Sequence, residues 1–165
     1  MANLGIDFCG VHFKNPVAAA SAEPTLNAAN MKKCIDAGAG SVIAKTMTDS
    51  SAMRELTTRA KWRFLNEKHE VCHGKVPRAF SLYSRSGLAL ETPKEFMKEI
   101  RETVKYAEQN DAVVIGSIGS TEIDGWVELG KQMEGGGVPL GCRKIILVPY
   151  FKRRIWILGL LNFGV

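Results

Sequence analysis

Metal ligation is the first chemistry the side chains suggest. Cys72 and His73 are adjacent and His69 lies three residues before Cys72, and thiolate with imidazole is a donor set that zinc accepts. The spacing goes no further. The four cysteines, Cys9, Cys34, Cys72 and Cys142, contain no CxxC pair, so neither a zinc site nor a dense disulfide framework is expected. They read as thiols in a reducing compartment. A second group is Lys45-Thr46, which follows directly on an apolar run; taken alone, Lys45 is a solvated lysine after a strand. A third lies beyond Glu134, the last acidic residue, where Arg143, Lys144, Lys152, Arg153 and Arg154 surround Tyr150, Phe151 and Trp156. Cations with interleaved aromatic rings can meet phosphates and stack on bases. A GxGxxG dinucleotide motif and an iron–sulfur cysteine run are absent from the sequence.

Those five tail cations account for the whole formal charge of +5, and without them the chain carries 17 basic and 17 acidic residues. A neutral body argues against the whole domain being a nucleic-acid binder. With 165 residues and 45% apolar content, the chain has enough material for one core. The opening MANLGIDFCG lacks the basic and apolar regions of a secretory signal. No run reaches the roughly 18 apolar residues of a membrane span. The expectation is a cytoplasmic protein with no membrane contact.

The elements that must position these residues follow from periodicity. Ile6 and Phe8, then Val11 and Phe13, alternate about Cys9-Gly10 and predict a hairpin. Val17–Ala20 is a small-residue strand, Leu26–Ala37 a helix ended by Gly38-Ala39-Gly40, and Ser41–Ala44 a second buried strand. Together they form a βαβ unit. Residues 47–86 are polar, mixed in charge and without a clean period, which marks a functional loop. Thr92-Pro93-Lys94-Glu95 is a capping box, and Phe96, Ile100, Val104 and Ala107 make one helical stripe. Ala112–Ile115 is a third buried strand, and a helix from about Thr121 buries Trp126, Leu129 and Met133. Repeated βα order with apolar strands predicts an α/β fold on a parallel sheet, open or closed into a barrel.

At Gly135-Gly136-Gly137 the rhythm stops. No capped helix follows, although Ile145–Val148 could form a strand. Residues 1–138 are therefore read as one domain and 139–165 as an atypical basic and apolar tail, translated out of frame or derived from a disrupted gene. Sequencing the coding DNA checks this: a second frame should restore a βα pattern downstream, and if none does the idea is lost.

Several of these segments resemble one family. Phe13–Val17 with Ala20–Thr25, Ala37–Gly40 through Ala44–Thr46, and Ile115–Ser120 with Trp126 look like the first three strands and the third helix of FMN-dependent dihydropyrimidine and dihydroorotate dehydrogenases. The resemblance covers roughly residues 4–138. It implies the N-terminal part of a (β/α)8 TIM barrel, truncated after about three βα units. It further implies an oxidoreductase acting on the CH–CH bond of a pyrimidine, inactive as this chain alone. On that reading Ala20, Ser21, Lys45 and Thr46 bind FMN. Lys45 also faces the substrate, its ammonium stabilising charge on the reduced ring. Arg85 would replace the asparagine that the family often carries near Ser86. The general acid/base, a Cys or Ser, belongs to the missing half, and Cys142 is not in its context. The implied partners are a pyrimidine substrate and a second copy or a redox subunit; a further hypothesis is that a second polypeptide supplies the missing half and rebuilds the barrel. The alternative is a small non-catalytic α/β domain whose basic tail binds nucleic acid or an acidic surface.

Overall fold

The computed structural model describes residues 3–58, 61–85, 87–136, 146–150 and 155–159. The chain opens with the hairpin of β1 (Ile6–Phe8) and β2 (Val11–Phe13), paired antiparallel. Its two turn residues, Cys9 and Gly10, have φ of 53° and 76°. Positive φ at both central positions is the turn whose twist matches the strands it joins, and glycine adopts it without a Cβ clash.

Next come β3 (Ala18–Ala19), a 3-10 turn at Glu23–Thr25, α1 (Ala28–Asp36) and β4 (Ser41–Ile43). The helix starts two residues later than periodicity suggests because Asn27 caps it. The Asn27 side chain accepts from Asn30 N at 2.9 Å, and asparagine favours this position over the helix interior. At Gly40 a Cβ would lie 2.3 Å from the Asn15 carbonyl oxygen, so only glycine lets the chain enter β4 this close to the connection between β2 and β3.

Residues 47–86 are not the unstructured loop that their composition suggests. They hold β5 (Met47–Thr48), α2 (Ser51–Thr58), and an antiparallel hairpin of β6 (Lys61–Leu65) with β7 (Ser81–Arg85). Then follow α3 (Pro93–Gln109), β8 (Val113–Ile115), β9 (Ile118–Gly119) and α4 (Ile123–Gly135). A last antiparallel pair, β10 (Ile146–Tyr150) and β11 (Ile155–Gly159), lies within the sequence read as tail. Cys142 and the tail cations lie outside the described residues.

The architecture is mixed α/β. Strands β3, β4 and β8 form a three-stranded parallel sheet in that order, with Ser41 opposite both Ala18 and Val113. Strands β5 and β9 form a second, two-stranded parallel ladder. Among the described residues there are four α-helices and the sheets stay small, none closing into a barrel. The expected α/β class with parallel βα units is present, as small open sheets. No helix among the described residues is long and apolar enough to cross a membrane.

One core holds these pieces together. From α3 come Phe96, Ile100, Val104 and Ala107, from α1 Met31 and Ile35, from the strands Val42, Val114 and Ile118, and from α4 Leu129 and Met133. Each side chain removed from water contributes roughly 1.5–3 kcal/mol before ordering costs. Trp126 is only half-buried against this core, because it sits on the margin of the α4 face. Strand β3 is the edge of its sheet: Ala18 is open to solvent although its sequence reads as fully buried, since among the described residues no strand pairs on its far side.

Polar contacts fix α1 on α3. The Glu99 carboxylate accepts from Ala28 N at 2.7 Å, satisfying a free amide at the start of α1. Lys32 pairs with Glu102 at 2.7 Å, and the Tyr106 hydroxyl donates to Asp36 at 2.5 Å. The Asp36 hydrogen bond raises the Tyr106 pKa, because ionisation would forfeit it. At the other end of α3, Thr92 N and Thr92 Oγ1 donate to Glu95 Oε2 at 3.0 and 2.7 Å. The side-chain bond from Thr92, then its backbone bond, hold the Glu95 carboxyl below the ordinary glutamate value.

A depressed carboxylate pKa stabilises the fold above its unfolded value, and that contribution fades as pH falls through the folded one. Carbon-detected NMR should show Glu95 titrating below the ordinary glutamate value. Thr92→Ala should move the midpoint back up. A wild-type midpoint at or above the ordinary value would show that the cap is not made in solution.

Candidate functional site

The parallel ladders break at one place. Strands β4 and β8 pair as far as Ile43 and Ile115, and pairing resumes at Met47 with Ile118. Residues 44–46 and 116–117 bridge the gap. Across it Ala44 N donates to Ile115 O at 2.9 Å and Met47 N to Ser117 O at 2.8 Å. Released from the ladder, Lys45 N donates to Thr25 O at 3.0 Å, and Thr46 O accepts from Ala89 N at 2.8 Å. A break of this kind turns consecutive side chains away from strict alternation, and polar residues gather there.

Thr46 Oγ1 lies 2.8 Å from Ser117 Oγ and 3.4 Å from Ser21 Oγ, so three strand ends share a chain of hydroxyls. Ser117 is buried, Thr46 and Ser21 half-buried. Beside them Lys45 is 4% exposed, with Nζ 3.5 Å from Glu23 Oε1. A buried ammonium without a counter-charge would be expensive, so the carboxylate is part of the reason Lys45 can sit there. Thr25, fully buried, donates to Ala20 O at 3.2 Å and to Ala22 O at 3.1 Å. Further along, Ser120 Oγ donates to Asp49 Oδ2 at 3.0 Å. A Cβ on Gly125 would lie 2.3 Å from that carboxylate oxygen.

The structure thus brings Ser21, Lys45 and Thr46 together at the C-terminal ends of parallel strands, with the exposed Ala20 just before them. Lys45 is buried and ion-paired, not the solvated lysine its type alone suggests. Sequence reading missed Ser117, whose run between Gly116 and Ile118 carries no distinguishing signal. Arg85 is elsewhere: it ends β7, opposite Lys61, and its side chain lies outside the described part of the structure.

A second constellation sits on the β6–β7 hairpin. Trp62 and Phe64 are two residues apart on one strand and therefore share a face. Leu82 stands opposite Phe64, and the Phe80 ring packs edge-on against Phe64 with centroids 5.1 Å apart. Trp62, Phe64, Phe80 and Leu82 are 43%, 41%, 50% and 53% exposed, which marks a face with no core beneath it. In the other phase of the ladder Arg63 stands opposite Tyr83, and Lys61 opposite Arg85. The alternation in Lys61–Leu65 would have found this strand; the polar residues around it masked the signal.

Residues 43–134 match the family model described as eukaryotic translation initiation factor eIF2A. The match spans more than half of the chain, from the end of β4 to α4, and the chain belongs to that family. No curated protein matches the chain. The match overturns the resemblance to FMN-dependent dihydropyrimidine and dihydroorotate dehydrogenases, and with it the assignment as a flavoprotein oxidoreductase of pyrimidines. The reason is physical. Short apolar strands, small residues and glycine turns are what any βα unit needs where strand meets helix, so Ala37–Thr46 and Ile115–Ser120 report that geometry and not a chemistry. The roles given to Ala20, Ser21, Lys45, Thr46 and Arg85 rested on that resemblance and lose its support.

The hydroxyl chain makes its own prediction. Thr46→Val keeps the shape but strips the partner from Ser117, which should cost about 1–2 kcal/mol in urea denaturation. Because the two residues share one bond, Thr46→Val with Ser117→Ala should cost clearly less than the two single changes added. Strict additivity would show that the bond contributes nothing.

Proposed function

We propose that this chain works in translation initiation, as a binding module and not as a catalyst of pyrimidine chemistry. The single observation that carries the reading is the family match over residues 43–134. The geometry supports it in a specific way. The matched stretch contains the whole β6–β7 hairpin, which stands outside the hydrophobic core with its large side chains in solvent. At the strand ends, Ser21, Thr46, Ser117, Lys45 and Glu23 engage one another, so their polarity is spent on holding the sheet termini together.

The finer reading of the fold, a (β/α)8 barrel cut short after three units, is kept as a proposal about architecture alone. Its support is the succession β3, β4, β8 in neighbouring parallel positions, with α1 and α3 as the connections. Barrels and open sheets both begin in this way. The proposal carries no activity with it.

The test is sedimentation of the full chain on sucrose gradients with purified small ribosomal subunits, messenger RNA and initiator tRNA. The chain should migrate with the small-subunit fractions. If it stays at the top of the gradient under every combination of components, the translation reading is wrong.

A further inference from the structure

The neutral body of the chain conceals a segregation of charge. Residues 61–85 hold six basic side chains, Lys61, Arg63, Lys68, Lys75, Arg78 and Arg85, against Glu67 and Glu70. The excess cations of this stretch are cancelled in the total by acidic residues elsewhere. The same stretch carries Trp62, Phe64, Phe80 and Leu82, exposed on one face of the hairpin, with Val71 and Tyr83 exposed besides.

We propose that the β6–β7 hairpin is a single-stranded RNA-binding surface, with bases stacking on Trp62 and Phe64 and the backbone phosphates drawn by the surrounding cations. The inference rests on the translation reading for the choice of RNA, and on the hairpin's own geometry for the rest. A flat face with two aromatic rings on one strand, and a third set edge-on to it, offers ring planes to successive unstacked bases. A duplex keeps its bases stacked inside and has nothing to give such a face. Arg63 alternates with the rings along the strand and so belongs to the opposite face, and the six cations of residues 61–85 attract phosphate as a group. The Arg63 guanidinium donates to Trp62 O at 2.8 Å, which holds its positive charge beside the strand that carries the rings.

The backbone is prepared for such a load. Leu65 bridges Val71, Cys72 N donates to Phe64 O at 2.8 Å, and Asn66 Oδ1 accepts from Lys68 N and Glu70 N, each at 2.9 Å. These bonds hold the outgoing turn in place although the aromatic face has no packing under it, and an unsupported hairpin would be marginal.

Fluorescence anisotropy of the full chain with a fluorescein-labelled uridine 12-mer tests the proposal, with the matching U–A duplex as competitor. The single strand should bind at least about tenfold more tightly than the duplex, and affinity should fall with added salt. Trp62→Leu, which keeps apolar bulk for the strand, and Phe64→Ala should each weaken binding about 5- to 100-fold. Trp62→Phe should restore most of it, and Lys105→Ala, on the exposed face of α3, should change it less than about twofold. Circular dichroism confirms that each variant keeps the fold. Absence of binding, preference for the duplex, or unchanged affinity in Trp62→Leu would each overturn the proposal. Sedimentation of Trp62→Leu with small ribosomal subunits separates the two readings. Retained migration with no RNA binding by the wild type removes the hairpin proposal and leaves the translation role. RNA binding through Trp62 without migration does the reverse.

Discussion

Strand β4 must be paired on both edges, and the rest of the chain is arranged to make that so. Its backbone groups lie in a buried environment, with Ser41 and Val42 shielded from water, where an unmade amide hydrogen bond costs about as much as a core side chain returns. One edge is satisfied by β3 and the other by β8, which is more than 70 residues away in sequence. Parallel pairing across that distance needs helices to carry the chain back, and α1 and α3 do so. Both helices then cover one side of the sheet, and their seam is held by Glu99 on the α1 amide, Lys32 with Glu102, and Tyr106 with Asp36. Exposed pairs of this kind stabilise little by themselves. They set the rotation of α1 so that Met31 and Ile35 meet the stripe of α3.

The polar cluster is a consequence of the same constraint. Parallel strands of unequal register cannot stay paired without a break, and the break at residues 44–46 leaves Lys45 and Thr46 to find partners outside the ladder. They find Thr25 through the Lys45 amide, Ser117 and Ser21 through the Thr46 hydroxyl, and Glu23 through the Lys45 ammonium. Every contact there joins a strand end to another strand end or to the 3-10 turn at Glu23–Thr25. A constellation that resembles an active site by position, at the C-terminal edge of a parallel sheet, is in this chain also the fastening of that edge.

The βα layer was legible in the sequence because its signals are local and redundant. The Thr92 to Glu95 cap, the Phe96 to Ala107 stripe and the apolar runs of β4 and β8 each follow from a handful of neighbouring residues. The hairpin at Cys9-Gly10 was readable for the same reason. What failed was exposure at the sheet edge, since Ala18 has the composition of a buried strand and lies open with no strand among the described residues paired beyond it. The 47–86 stretch failed differently. Its hairpin has large apolar side chains facing water on one side, and Arg63 with the exposed Tyr83 on the other, so hydrophobic periodicity, which assumes a core on one face, returns no clean period. Ser117 was invisible because a serine in a glycine-rich bend looks the same whether it faces solvent or a buried threonine.

Family and chemistry come apart at this point, for a reason that is general. The segments that suggested a dehydrogenase are those that any strand-to-helix junction constrains most strongly, and they carry information about backbone geometry. Function is written where the backbone does not require a particular residue. Nothing in the pairing of β6 with β7 demands tryptophan at 62 or phenylalanine at 64. Burial does not demand them either, for both are more than 40% exposed. Leaving large rings in water carries a solubility cost, and a fold does not gain from it. Net charge misleads in the same manner: a sum of zero over the body hides a basic stretch balanced by acids on other elements, and a phosphate within a Debye length of the hairpin responds to the near charges and not to the total. The surface of this chain is therefore best understood by asking which exposed residues the fold has no use for, and the β6–β7 hairpin holds a cluster of them.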